Sequence, residues 1–111
     1  MAAPAETGEW LALVDQGRYG QSRVRTGSYF RSRIDQNDWV DEVGAVRGPL
    51  GAVTSRTLVS VQHMTSLPDA PNGVYAVVTD RTGIANKGPA TETITMVGEN
   101  EDWRAVGYVI R

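Results

Sequence analysis

A chain of 111 residues is long enough for one hydrophobic core and too short for two, and 41% hydrophobic with 22% charged residues argues against a disordered polymer. A net charge of -2 leaves no basic surplus to neutralise phosphates, so nucleic-acid binding is not expected. With no cysteine, disulfides, thiolate metal sites and cysteine nucleophiles are excluded, and no apolar run reaches the length of a membrane span.

Residues 1–6 read as a tail and 7–111 as one domain. The start "MAAPAET" has the small-residue character of a mature exported protein, although such starts also occur in cytoplasmic proteins. Glu9 to Gln16 has helical spacing through Trp10, Leu13, Val14 and, more weakly, Leu11, with Thr7 as its N-cap. Gly17 and Gly20 predict a break. A second helix is predicted from Gln21 to Ile34, burying Val24, Tyr29 and Phe30. Arginines gather early in the chain (Arg18, Arg23, Arg25, Arg31, Arg33) and are followed by Asp35, Asp38, Asp41 and Glu42, which reads as a solvated, mixed-sign helical surface. The third helix, "DQNDWVDEVGAVR", has Asp35 as cap and Trp39, Val43 and Val46 as its buried stripe. Gly48-Pro49 is expected to end it, with Gly48 in the left-handed position.

After Gly51 the period becomes two. Val53 to Met64 is the first strand, with Val53, Thr57, Val59, Val61 and His63 on one face and Thr54, Arg56, Leu58, Gln62 and Met64 on the other. "SLPDAPNG" is a turn, "VYAVVTDRT" a strand, "ANKGPA" a break, "TETITMV" a strand, "GENED" a turn and "WRAVGYVIR" the last strand. Helices followed by four sequential antiparallel strands describe an α+β domain, with the helices packed on a curved sheet. Its order looks like the cystatin-like, nuclear-transport-factor-like cone.

The blocks "WLALVDQGRYGQS", "VRGPLGAVTSR", "LPDAPNGVYAVV", "ANKGPATETITM" and "WRAVGYVIR" occur in one order over nearly the whole chain. Together they resemble the bacterial domain-of-unknown-function family 4019. The resemblance implies a small exported protein, periplasmic or secreted after signal-peptide removal, with cytoplasmic residence as the alternative. It lends no catalytic residues. Two departures stand out: Arg23 replaces an aromatic common in the family after "YGQS", and Thr82-Gly83-Ile84 replaces a bulkier run before "ANK".

Chemistry-bearing residues are few. His63 is the sole histidine, so a multi-histidine metal site is excluded, and no metal or cofactor is expected. There is no nucleophile elbow and no phosphate-binding glycine motif. Arg56, on an apolar strand face, needs either a carboxylate partner or an anionic ligand. Glu92 alternates with Ile94 and Met96, so it is either an acid/base of raised pKa or a neutralised structural ion. Lys87 and Glu92 flank Gly88-Pro89 with spacing that suits an ion pair closing the turn.

Two functional readings follow. In the first, the protein binds a small molecule or a protein partner through the sheet, using Arg56, Tyr75, Glu92, Tyr108 and Trp39, without catalysis. In the second, it is a small isomerase or hydrolase in which Glu92 or Asp80 works with Tyr108 in an apolar pocket. A homodimer is a further possible assembly.

Overall fold

The computed structural model describes residues 2–111. Helix α1 (Ala3–Asp15) begins well before Glu9. Thr7 is therefore not a cap; it lies inside the helix and its hydroxyl donates to Ala3 O at 2.7 Å. The tail expected over residues 1–6 is thus helical from Ala3 on. Proline in the first turn is tolerated, because the N–H it lacks would have no helical partner there. Tertiary contact extends the helix this far: Ala3 and Glu6 are buried, and the Glu6 carboxylate accepts from Trp103 N–H. Trp10, Leu11 and Val14 face the core, whereas Leu13 is half-buried. At the C-terminus Gly17 donates to Val14 O and Arg18 N–H to Leu13 O, a Schellman closure that accounts for the predicted break.

The helix expected from Gln21 to Ile34 is two short ones, α2 (Tyr19–Val24) and α3 (Ser28–Arg31). They part because Thr26 makes a parallel bridge to Ala105, and Gly27 N–H donates to Ala105 O at 2.9 Å. A Cβ on Gly27 would stand 2.8 Å from methyls of both Val97 and Val106, so only glycine lets the backbone approach this closely. Val24 and Tyr29, expected inside, are exposed as a result. Arg23, the departure from the family pattern, donates to Arg31 O and Ile34 O and ties the irregular segment together.

Helix α4 (Gln36–Arg47) starts as predicted: the Asp35 carboxylate accepts from Asp38 N–H at 2.8 Å. Trp39 and Val43 are buried, but the stripe continues through Arg47 and leaves Val46 exposed. The helix end also differs from expectation. Gly48 is right-handed and opens a 3₁₀ turn (Gly48–Leu50), and Gly51 takes the positive φ of 80°. Asn86 fixes this corner, donating through its backbone to Leu50 O and through its side chain to Pro49 O.

Strands β1 (Val53–Met64), β2 (Tyr75–Ile84), β3 (Gly88–Glu99) and β4 (Asp102–Ile110) form one antiparallel sheet in sequence order. The fold is α+β, as expected. The β2–β3 turn occupies Ala85 to Lys87, and β3–β4 turns through Asn100 and Glu101, both at positive φ. Ala76, Val78, Ile94, Met96 and Ala105 face the helices and close the core with Trp10, Leu11, Val14, Trp39 and Val43. Trp10 is its hub, meeting Trp39 at 6.3 Å and Tyr108 edge-on at 5.7 Å between ring centroids. Its indole N–H donates to Ser22 O, and that of Trp39 to Tyr19 O and Ser22 Oγ, which anchors α2 to the other helices.

Strict alternation along β1 puts Arg56 and Val61 on opposite faces. A bulge between Leu58 and Ser60 shifts the register, so Arg56 pairs with Thr82 and Val61 with Val78, and both join the helix side. That single extra residue brings Arg56 to the carboxylates described below.

Candidate functional site

Alternation on β2 and β3 places Asp80, Thr82 and Glu92 on the helix side, with Asp80 and Glu92 directly opposite one another. Two like charges facing each other repel unless a cation intervenes. Arg56 supplies it. Its Nε lies 2.8 Å from Glu92 Oε1 and 3.9 Å from Asp80 Oδ2, and its Nη2 donates to Glu92 Oε2 at 3.2 Å. Thr82 Oγ1 donates to Glu92 Oε1 at 2.6 Å, and the Tyr108 hydroxyl from β4 donates to Oε2. Glu92 is fully buried and both its oxygens are doubly engaged, which exhausts a carboxylate's ordinary accepting capacity.

The network extends to the helices. Arg56 also grips Asp15 at the end of α1, through Nη1 to Oδ2 at 2.7 Å and Nη2 to Oδ1 at 3.1 Å. Arg47, at the end of α4, donates to Asp15 Oδ1 at 2.9 Å and reaches the Tyr108 hydroxyl at 3.5 Å. One polar cluster thus joins both long helices to all four strands.

Its electrostatics follow from these contacts. Burial pushes Glu92 up, but hydrogen bonds from Arg56, Thr82 and Tyr108 and the Arg56 charge outweigh it, so the carboxyl lies below its usual range. Burial acts the same way on Asp15 and is likewise overcome by Arg56 and Arg47. Asp80 behaves oppositely. Burial raises it, Arg56 only partly offsets that, and the Glu92 charge raises it further. Tyr108 is pushed up by burial and by its bond to Glu92, and so stays a protonated donor.

Lys87 takes no part. It is exposed in the β2–β3 turn and forms no ion pair among the described residues, so the turn-closing pair with Glu92 does not form. Gly88 turns the chain there, and the Glu92 side chain points into the core, where Arg56 meets it. His63 is exposed beside Trp103, with 6.1 Å between ring centroids.

A separate cleft of about 800 Å³ lies at the other end of the sheet. Its floor includes Tyr75, Thr95 and Val97, which alternate with core-facing Ala76, Ile94 and Met96 and so belong to the opposite face. Tyr29, Phe30 and Arg33 form one wall and the β1–β2 connection from Leu67 to Gly73 another. Of the residues singled out as ligand contacts, Tyr75 lines this cleft. Arg56, Glu92 and Tyr108 meet in the buried network, and Trp39 packs in the core.

Sequence reasoning missed Asp15, Arg47 and Thr82. Arg47 did carry a signal, because it continues the four-residue spacing of Trp39 and Val43; an arginine on an apolar stripe calls for a buried carboxylate. Thr82 continues the alternation of Val78 and Asp80. Asp15, a polar residue at a helix end, gave no such sign.

Neither the curated proteins nor the solved structures contain a significant match to this sequence. A family model does match, over residues 6–108, in agreement with the ordered blocks read from the sequence. The chain belongs to the family described as Protein of unknown function (DUF4019).

Proposed function

We propose that this protein is a non-catalytic binding module and that its ligand occupies the cleft beside α3. One observation carries the reading: the molecule has an open cleft of about 800 Å³ at one end, while its strongest charges are consumed by one another at the other end. That volume lies within the range of small-molecule pockets, roughly 300–1,000 Å³. The walls combine aromatic rings with a few polar groups, as such pockets do. Glu92, saturated and held ionised, has no spare capacity for acid/base work. Export to the periplasm or beyond is part of the proposal and rests on the family resemblance; fractionation of cells tests it.

The second reading, a small cone-fold enzyme, is favoured by one feature. Asp80 is a buried carboxyl of raised pKa with a tyrosine and an arginine in the same cluster. Against it, Asp80 does not line the cleft.

A thermal-shift screen against metabolites and lipids tests the binding reading. A ligand selective for the folded state must raise Tm with concentration, because it adds about 2.7 kcal/mol of stability at a hundred times Kd. Thr95→Trp, which fills the cleft floor, is expected to abolish the shift. A hit that survives Thr95→Trp and disappears in Asp80→Asn would instead place the site in the buried network.

A further inference from the structure

We infer that the cleft takes a small organic cation with an apolar body, such as a quaternary ammonium compound carrying an aryl group. The inference rests on the reading of the cleft as a ligand site and specifies its ligand class. Three carboxylates border the cleft, Glu42 on α4, Asp69 in the β1–β2 connection and Glu99 at the end of β3, against a single arginine, Arg33. None of the three forms a salt bridge among the described residues, whereas the carboxylates of the buried network all lie within ion-pair distance of an arginine. Glu99 is also held in place, accepting from Ser28 N–H at 3.1 Å and from Ser28 Oγ at 3.0 Å, both neutral donors that leave its charge uncompensated. The side chains lining the cleft therefore carry more negative than positive charge. An anion is disfavoured there, and a neutral ligand leaves the charge unused.

The walls favour the same ligand. Tyr29 is exposed and Phe30 half-buried in the wall, while Tyr75 is buried in the floor, and the face of an aromatic ring attracts cations. One cation already uses it: the Arg33 guanidinium lies 4.4 Å from the centroid of the Tyr29 ring. An alkylammonium head can share this arrangement while its apolar body covers Val97 and Val106. Arg33, as the resident cation, opposes the ligand's charge and competes for Tyr29.

Three aryl probes of matched size separate the possibilities: naphthylmethyl trimethylammonium, naphthylmethanol and naphthalenesulfonate. Each is titrated into the isotope-labelled protein, with backbone amide shifts locating the site and giving Kd. The ammonium probe is expected to perturb Tyr29, Thr95 and Val97 and to bind about fivefold more tightly than the alcohol, with the sulfonate weakest. In the double variant Glu42→Gln, Asp69→Asn that preference should shrink, with Glu99 and the aromatic wall retained, while alcohol binding is unchanged. Asparagine tolerates the positive φ of 61° at position 69, so the loop keeps its shape. Arg33→Gln should tighten ammonium binding. Equal affinity for ammonium and alcohol, or a preference for the sulfonate, with the same amides perturbed, overturns the cation inference and leaves the cleft a binding site. If no probe perturbs the cleft, the inference and the binding reading both fail.

Discussion

The two ends of the sheet handle charge in opposite ways. Where β2 ends and β3 begins, Asp80 and Glu92 are buried beneath the helices, and Arg56 and Arg47 join them to Asp15 and Tyr108. Where β3 ends, Glu99 stands with Glu42 and Asp69 around an open cleft, and no arginine or lysine pairs with them among the described residues. Charges buried together and paired with one another specify how elements dock; charges left over around a cavity are available to something else. The network was the more attractive site from residue types alone. Its geometry makes it a structural clamp, and the open cleft lies at the end whose residues looked ordinary.

The largest expected effect comes from breaking the clamp. Arg56→Met leaves Glu92 fully buried without its cation, and removing one partner of a buried pair costs about 3–5 kcal/mol. Urea unfolding should show that loss, with Asp15 and the end of α1 loosened in hydrogen exchange. A fall below 1 kcal/mol would mean the clamp contributes little.

Gly27→Ala should come next, and it acts at the cleft end of the sheet. The added methyl meets Val97 and Val106, both lining the cleft, at 2.8 Å, and overpacking of this kind costs about 1–3 kcal/mol. It should also alter probe affinity in the cleft, which Arg56→Met should leave unchanged wherever the protein remains folded.

The pH dependence separates carboxylates within the clamp itself. Glu92 and Asp15 have lowered pKa values in the folded state, so their stabilisation is present above the ordinary carboxylate range and lost as pH falls through the lowered values. Asp80 has the opposite sign. Its folded pKa is raised, so its contribution is greatest below the ordinary 3.8 and is lost as pH rises through the folded value. Asp80→Asn, which mimics the protonated form, should therefore raise Tm at neutral pH and lose that advantage in acid. A lower Tm at neutral pH would show that the ionised carboxylate is needed beside Arg56.

The smallest effect is expected at the β3–β4 turn, which follows Glu99 but does not itself line the cleft. Asn100 and Glu101 both have positive φ, the backbone of a two-residue type I′ hairpin, in which glycine is preferred at the second position. Glu101→Gly should relieve strain and stabilise by up to about 1 kcal/mol in thermal unfolding.

Much of this architecture was legible in the sequence, because the signals were local. Asp35 before an apolar stripe marked the start of α4, and alternation marked all four strands. What was not legible depended on tertiary contact. The chain around Gly27 reads as helix until Ala105 is beside it to accept its N–H. Alternation along β1 does not reveal a bulge, and that one residue decided whether Arg56 met Glu92. The expected link between Lys87 and Glu92 relied on nearness in sequence, but the pair that forms spans three strands. The cleft was hidden for a similar reason. Its walls come from α3, the β1–β2 connection and the outer face of the sheet, and no single motif carries it.

The most direct test of the central claim is the ionisation of Glu92 itself, followed by NMR of its side-chain carboxyl carbon across an acid titration. A structural clamp predicts a midpoint below the ordinary 4.5, since Arg56, Thr82 and Tyr108 all stabilise the charged form. A midpoint near neutrality would contradict the account, returning Glu92 to the role of a catalytic acid or base and the search for function to the buried end of the sheet.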